Sequence, residues 1–378
     1  MTVDFELPTR YDSIRDRARE LALQIAPIAG EADESDRFVP EVRSALAASG
    51  LTALMVPAEY GGSSEKVDSL AATVVREQLA AECGHLDSMF AMQGIGSFAL
   101  SQGGDEVIKK QWLPLIGAME AVAALALTEP DIGSDLKNLS TTVIADGEDL
   151  IIHGHKSFIT NAGDADFYCV LGKEDSGYSL VLVPTDTAGV TVSKPHRIIA
   201  PHVMGDVVFD QVRVPALNRL GEPGKGFPLV LATLATFRVS VAGASIGLAE
   251  SALKEALRHA QSREMFGTTL SKIGDVPSKL AWSWTEIEMV RSLTYRAAAA
   301  SARDPLANLH LSSMAKIAAT ETAGKIADRC VQIMGRFGLV QGGKMERLYR
   351  EARPMRIYEG STEVILDSLA RQLLKRGL

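Results

Sequence analysis

Apolar residues recur every three or four positions from Tyr11 to about Ile116, as in SIRDRARELALQIAPIA and PEVRSALAASGL, a spacing that predicts amphipathic helices. Turn clusters such as PAEYGG and SQGGDE separate them. Between about Glu120 and Leu220 the period shortens to two. The runs AVAALAL, STTVIADG, DLIIHGH, DFYCVLG, YSLVLVP and GDVVFDQVRVP, divided by Asp-Gly, Pro and Gly, predict the strands of a compact antiparallel β domain. After GEPGKGF the helical period returns, broken around MFGTTLSKIGDVP, ARDPLA and GRFGLVQGGK. The pattern predicts an α+β multidomain chain: an N-terminal helical domain over 1–118, a middle β-barrel domain over 119–222 and a C-terminal helical bundle over 223–378. With no βαβ alternation, a doubly wound dinucleotide fold is excluded.

Bulk properties narrow the function classes. At 378 residues the chain exceeds the usual limit of one hydrophobic core. A net charge of -8 with scattered positive residues argues against nucleic acid or an anionic membrane as partner. The start, MTVDFELPTRYDS, lacks the basic-then-apolar pattern of a secretory signal, and no apolar run approaches the roughly 20 residues of a membrane span. Cys83, Cys169 and Cys330 are far apart and odd in number, which fits a reducing, cytoplasmic setting. No metal site is expected, because His153 and His155 share a strand face without a third ligand nearby.

Three motifs invite chemistry that their context refuses or leaves open. GASIG, residues 243 to 247, matches the nucleophile pattern G-x-S-x-G at Ser245, but it lies inside a helical stretch where small residues let helices approach closely. GEPGKGF lacks the spacing and hydroxyl of a phosphate loop and reads as a turn into a helix. LALTEPDIGSDLKN, residues 125 to 138, ends a strand in Thr128 and follows it with Pro130, Gly133 and Ser134. This turn can present hydroxyls and N–H groups to an anion or a polar heterocycle. Near the C-terminus, RIYEGSTEVI sets Glu359 before Gly360 at a helix-to-helix junction, with Ser361 and Thr362 as caps for the next helix.

Taken in order, LTEPDIGSD, KSFITNAG, VVFDQVRVPALNRLGEPGKGF, SREMFG, VQIMGRFG and ERLYREARPMRIYEGSTEV resemble the acyl-CoA dehydrogenase family of flavoproteins almost from end to end. The resemblance implies the family's helix, β and four-helix-bundle layout, FAD as cofactor and an acyl-CoA or acyl-carrier-protein thioester as substrate. It also implies an electron-transferring flavoprotein as acceptor and a homodimer, usually doubled to a homotetramer. Leu127, Thr128, Gly133 and Ser134 are then expected on one side of the flavin and thioester, with Phe158, Ile159 and Thr160 on the other. Arg263, Phe266, Gln332 and Gly335 are expected to reach a neighbouring subunit's FAD, and Ser361 and Glu363 to touch the cofactor. Ser134, Arg238, Tyr358, Gly360 and Arg371 are expected at the substrate. Glu359 is the implied base for the α-proton, because the alternative position used by some relatives, just before Arg238, holds Phe237.

Departures from the family pattern fall at Ala235, where relatives often have Asp, at Gly274 for a common Gln, at Arg336 for Gly and at Glu363 for Gln. They bear on the contacts to FAD and on whether CoA or a carrier protein holds the acyl group. Two other functions stay open at this point: a flavin oxidase or monooxygenase on the same scaffold, and a non-catalytic partner subunit that completes another chain's flavin site.

Overall fold

The computed structural model describes residues 7–377. Helices come first, then strands, then helices, in the expected order. The first part holds α1 (Asp12–Ile25), α2 (Ala29–Ala32), α3 (Pro40–Ser49), α4 (Ser69–Leu79), α5 (Gly84–Gly103) and α6 (Glu106–Gly117). In α1 the residues at helical spacing, Ala18, Leu21, Ala22 and Ile25, are the buried ones. The Asp68 carboxylate accepts from the Leu70 and Ala71 N–H groups and so caps α4.

Helix α5 is apolar on nearly all sides because it lies between the other two parts. A Cβ at Gly96 would come within 2.7 Å of the Ala123 backbone, and one at Gly94 within 2.5 Å of the Phe237 ring. These two glycines let one helix touch the first strand and the long C-terminal helix at once.

The middle part comprises β1 (Ala123–Ala126), β2 (Thr142–Asp146), β3 (Asp149–Thr160), β4 (Phe167–Glu174), β5 (Gly177–Pro184), β6 (Val190–Ser193), β7 (Met204–Pro215) and β8 (Arg219–Leu220). Two corrections apply to the expected antiparallel barrel. First, β1 runs parallel to β4, pairing Ala123 to Ala126 with Phe167 to Val170. The short run AALA is apolar at every position, as suits a strand covered on both faces. Second, among the described residues the hydrogen-bonded ladder is an open path, β6-β7-β3-β2-β4-β5-β8, with β1 branching from β4. Strand β3 pairs with β7 through two register shifts, one between Lys156 and Ile159.

The last part is α7 (Gly226–Ser262), the hairpin β9 (Glu264–Met265) and β10 (Thr268–Thr269), α8 (Val276–Arg303), α9 (Leu309–Met334), α10 (Lys344–Ala352) and α11 (Thr362–Arg376). GASIG lies in the middle of α7. A Cβ on Gly243 would meet the Thr73 carbonyl at 2.5 Å and one on Gly247 the Glu77 carbonyl at 1.9 Å. The motif is therefore a helix-crossing device against α4, and Ser245 is fully buried with its hydroxyl on the Val241 carbonyl, 2.8 Å away.

One expectation about membranes needs correcting. Helix α7 is long and apolar enough to cross a bilayer by length and composition, yet 72% of its most apolar window is buried inside the fold. It is the core helix on which α4, α5, α8 and α9 pack.

Candidate active site

Glu359 occupies a strained turn between Pro354–Arg356 and α11. Its φ is +53° and that of Gly360 is +100°, two successive left-handed residues of which only the second is a glycine. Side chains from two helices hold this turn. Arg238 of α7 donates from Nε to the Glu359 carbonyl at 3.0 Å and from Nη1 to Ser313 Oγ at 3.1 Å. Lys316 of α9 donates from Nζ to the Gly360 carbonyl at 2.7 Å. A Cβ on Gly360 would lie 3.2 Å from the Ile365 side chain and 3.4 Å from the Arg238 guanidinium, a tight fit that adds to the preference for glycine set by the backbone angle.

Glu359 as a residue is half-buried, yet part of its carboxyl is withdrawn from bulk water. Its Oε2 is buried and has no hydrogen-bond partner among the described residues. Burial raises its proton affinity above the usual carboxylate range, against the pull of Arg76, Arg238 and Lys316 and with a small push from Asp87. Arg76 and Asp87 form a buried bidentate pair, Nε to Oδ1 at 2.9 Å and Nη2 to Oδ2 at 2.7 Å, anchored by Ser240. Tyr358 is raised by the same burial. The backbone N–H of Glu359 finds no protein acceptor among the described residues.

A second group of residues gathers where the turn after β1 meets the end of β3. The Ser157 N–H donates to the Thr128 carbonyl at 2.9 Å, and Lys156 Nζ donates to the Leu127 carbonyl at 2.9 Å. Lys156 also pairs with Glu129 at 3.0 Å, and both side chains are fully withdrawn from solvent. The Glu129 carboxylate accepts in addition from the backbone and hydroxyl groups of Ser140 and Thr141. Burial acts to raise its pKa, but those bonds outweigh it and bring it down to about 2. The LTEP turn is thus tied to the KSFIT strand by a buried ion pair.

The register shift in β3 pushes Phe158 outward. Its φ is +56°, the residue is 47% exposed, and its ring stacks on His196 at 4.6 Å and 5°. Asp206 holds the bulge, accepting from Ser157 Oγ at 2.7 Å and the Phe158 N–H at 3.3 Å, with His155 at 3.0 Å. Ile159 is buried, whereas Thr128 and Thr160 are half-buried and Gly133 and Ser134 are exposed. A Cβ on Gly133 would meet nothing within 4 Å.

Comparison with known proteins decides the family. Residues 9–120, 124–212 and 224–374 match the N-terminal, middle and C-terminal domains of acyl-CoA dehydrogenases. The chain is 34% identical to cyclohexane-1-carbonyl-CoA dehydrogenase of Geobacter metallireducens over 97% of both chains. This chain belongs to the acyl-CoA dehydrogenase family. It shares the fold of butyryl-CoA dehydrogenase from Megasphaera elsdenii, with a TM-score of 0.93 and 29% identity over 98% of this chain and 100% of that one. A glutaryl-CoA dehydrogenase from Mycobacterium smegmatis in complex with FADH2 superposes with a TM-score of 0.92 and 26% identity, covering 98% and 96%.

Acyl-CoA dehydrogenases are FAD-dependent oxidoreductases, and the residues present fit that cofactor. Gly133, over which a Cβ would meet nothing within 4 Å, the exposed Phe158 and the half-buried Thr128 and Thr160 are each accessible to a flat, polar ring system.

The remaining expected residues fall in two places. Arg263, Phe266, Gln332 and Gly335 lie at one end of the C-terminal helices. Phe266 heads the β9–β10 turn and is 89% exposed, while Arg263 and Arg336 both stack over Phe337, at 5.7 and 5.1 Å. Gln332 and Gly335 are exposed, and Gly274, with φ of +55°, is a turn residue with open space around it. On α11, Ser361 takes the N-cap position but its hydroxyl caps nothing, and Thr362 donates instead to Glu321 at 2.8 Å. Glu363 is exposed. Arg371 is exposed too, paired with Asp367 at 2.6 Å. Ala235 is fully buried.

Sequence reasoning missed Glu129, Lys156, Asp206, Arg76 and Lys316. For Lys156 a signal existed: a lysine within an alternating apolar strand implies a buried charge that needs a carboxylate. The other four owe their importance to partners on other segments, from 11 positions away for Glu129 and Ser140 to 164 for Arg76 and Ser240. Three cysteines are free and buried, and among the described residues no group of three potential ligands forms a metal site.

Proposed function

We propose that this acyl-CoA dehydrogenase removes the α- and β-hydrogens of an acyl-CoA thioester to give the trans-2-enoyl thioester, with Glu359 as the base. One observation carries the proposal: the Glu359 carboxyl has a buried, unpartnered Oε2 and sits on a turn fixed by cationic side chains that grip its own carbonyl and the next one.

Glu359 takes the α-proton, for which a raised proton affinity makes it a stronger base than a solvated carboxylate. Charge then builds on the thioester oxygen. The Glu359 N–H, which has no protein acceptor among the described residues, is available to stabilise it. FAD, when bound, supplies the two-electron acceptor for the hydride that leaves the β-carbon. Leu127, Thr128, Gly133, Ser134, Phe158, Ile159 and Thr160 would hold the flavin end. Arg263, Phe266, Gln332 and Gly335 would serve the cofactor of a second subunit, and their exposure at one end of the molecule supports a homo-oligomer. Tyr358, packed on the apolar core next to the base, limits the access of water from that side.

The retained carboxylate favours dehydrogenation over oxygen chemistry, and an electron-transferring flavoprotein is the acceptor that fits such a reaction. Anaerobic mixing with acyl-CoA thioesters of graded length is expected to bleach the flavin absorbance of the purified protein. Glu359→Gln is expected to slow bleaching by about 10³-fold or more, with little change in flavin content. Bleaching by this variant at the normal rate rules out the assignment.

A further inference from the structure

Lys316 is a buried charge without a counter-ion. It is fully withdrawn from solvent, and among the described residues no carboxylate lies within ion-pair distance of its ammonium. Its hydrogen-bond acceptor is the Gly360 carbonyl. Burying an ammonium on one neutral acceptor is expensive, and burial pushes the lysine down to about 8. An apolar side chain at this place in α9 would avoid that cost, so the charge calls for a role.

The charged groups around it show what the role is. The turn contributes Glu359, α7 contributes Arg238, α9 itself Glu321, and α11 Glu363. Glu359 in turn feels Arg76 from α4, Arg238 from α7, Lys316 from α9 and Asp87 from α5, next to Tyr358. Helix α9 also supplies Ser313, which accepts from Arg238, so both clamps on the strained turn are secured to one helix.

We propose that Lys316 is a positioning residue for Glu359: its ammonium fixes the Gly360 carbonyl, and so the aim of the carboxyl one residue earlier, while its charge favours the ionised base. The inference rests on Glu359 being the base. The two parts of the role separate chemically. Gln, a neutral donor one atom shorter, keeps part of the grip on the carbonyl and loses the charge, whereas Met, apolar and of the same length as Gln, loses both.

The test compares Lys316→Gln, Lys316→Met and Glu359→Gln. In anaerobic flavin reduction by an acyl-CoA, the wild-type rate rises with pH as Glu359 ionises. Both Lys316 variants are expected to move that acidic limb upward by about one pH unit, because one of the three cations opposing protonation is gone. Lys316→Met is expected to lose more of the high-pH plateau than Lys316→Gln. Equal plateau losses with an unmoved limb indicate only a packing residue and overturn the proposal.

A second readout needs neither substrate nor turnover. In protein labelled with ¹³C at the lysine Cε, the Lys316 resonance is expected to titrate near pH 8 in the wild type and at lower pH in Glu359→Gln, since coupling between two charges is reciprocal. An unchanged titration overturns the charge half of the proposal, even where Lys316→Met fails to fold. If Glu359→Gln itself reduces flavin normally, it is the assignment of the base that fails, a result distinct from either outcome at Lys316.

Discussion

The buried pair Glu129–Lys156 permits a quantitative test of how the LTEP turn is held. At about 1.4 kcal/mol per pH unit, bringing the Glu129 carboxyl from 4.5 to about 2 contributes about 3 kcal/mol to the folded state at neutral pH. Burial brings Lys156 from 10.5 to about 8, which costs about the same, so the pair nets close to zero. Its two members are nevertheless unequal. Lys156→Met removes one donor from the Glu129 carboxylate but leaves it four from Ser140 and Thr141, and deprives the Leu127 carbonyl of its lysine partner. Glu129→Gln leaves a fully buried ammonium facing one carbonyl and an amide, and turns an amide N–H₂ toward groups that already donate.

The expected loss of stability is about 1–3 kcal/mol for Lys156→Met and about 3–5 kcal/mol for Glu129→Gln. Urea unfolding at pH 7, followed by far-UV circular dichroism, measures both. A Lys156→Met variant as unstable as Glu129→Gln, or more so, refutes the view that Ser140 and Thr141 carry the carboxylate. The sign with pH is also fixed. Because the folded-state pKa of Glu129 lies below its unfolded value, its stabilisation is complete above about 4.5 and is lost as pH falls toward 2. Acid unfolding should therefore steepen in that window, and Glu129→Gln should flatten it.

Two glycines give contrasting expectations. Gly247→Ala drives a methyl group to within 1.9 Å of the Glu77 carbonyl, so α4 and α7 must separate, and the urea midpoint should fall by the equivalent of about 3 kcal/mol or more. Gly133→Ala meets nothing within 4 Å and should leave the midpoint unchanged; a loss of FAD affinity in that variant, read by fluorescence titration, then reports contact with the cofactor rather than damage to the fold.

The layout was legible in the sequence because each part keeps one hydrophobic period over many residues, and the switch from 3.6 to 2 and back is unmistakable. The close crossing at Gly243 and Gly247 was legible too, since small residues four apart in an apolar helix have few other uses. The parallel β1 was not, because a four-residue run that is apolar throughout carries no alternation from which direction or neighbours can be read. The apolarity of α7 was underestimated because its small residues do not form one conspicuous greasy block. At the site, Glu359 stood out by its motif, whereas Arg76, Asp206 and Lys316 are ordinary residues until the fold brings them to partners as far as 164 positions away. The cap at Ser361 shows the converse: the residue type marked the helix start correctly, while the neighbouring Thr362 found a better acceptor in Glu321.

The turn bearing Glu359 has a kinetic corollary. Its backbone is held in an unfavourable conformation by Arg238, 121 residues upstream, and by Lys316, 44 residues upstream, so nothing local can set it until α7, α9 and α11 have docked. During renaturation the helical signal should therefore return before the ability to oxidise a thioester, and that lag would time the last step of assembly.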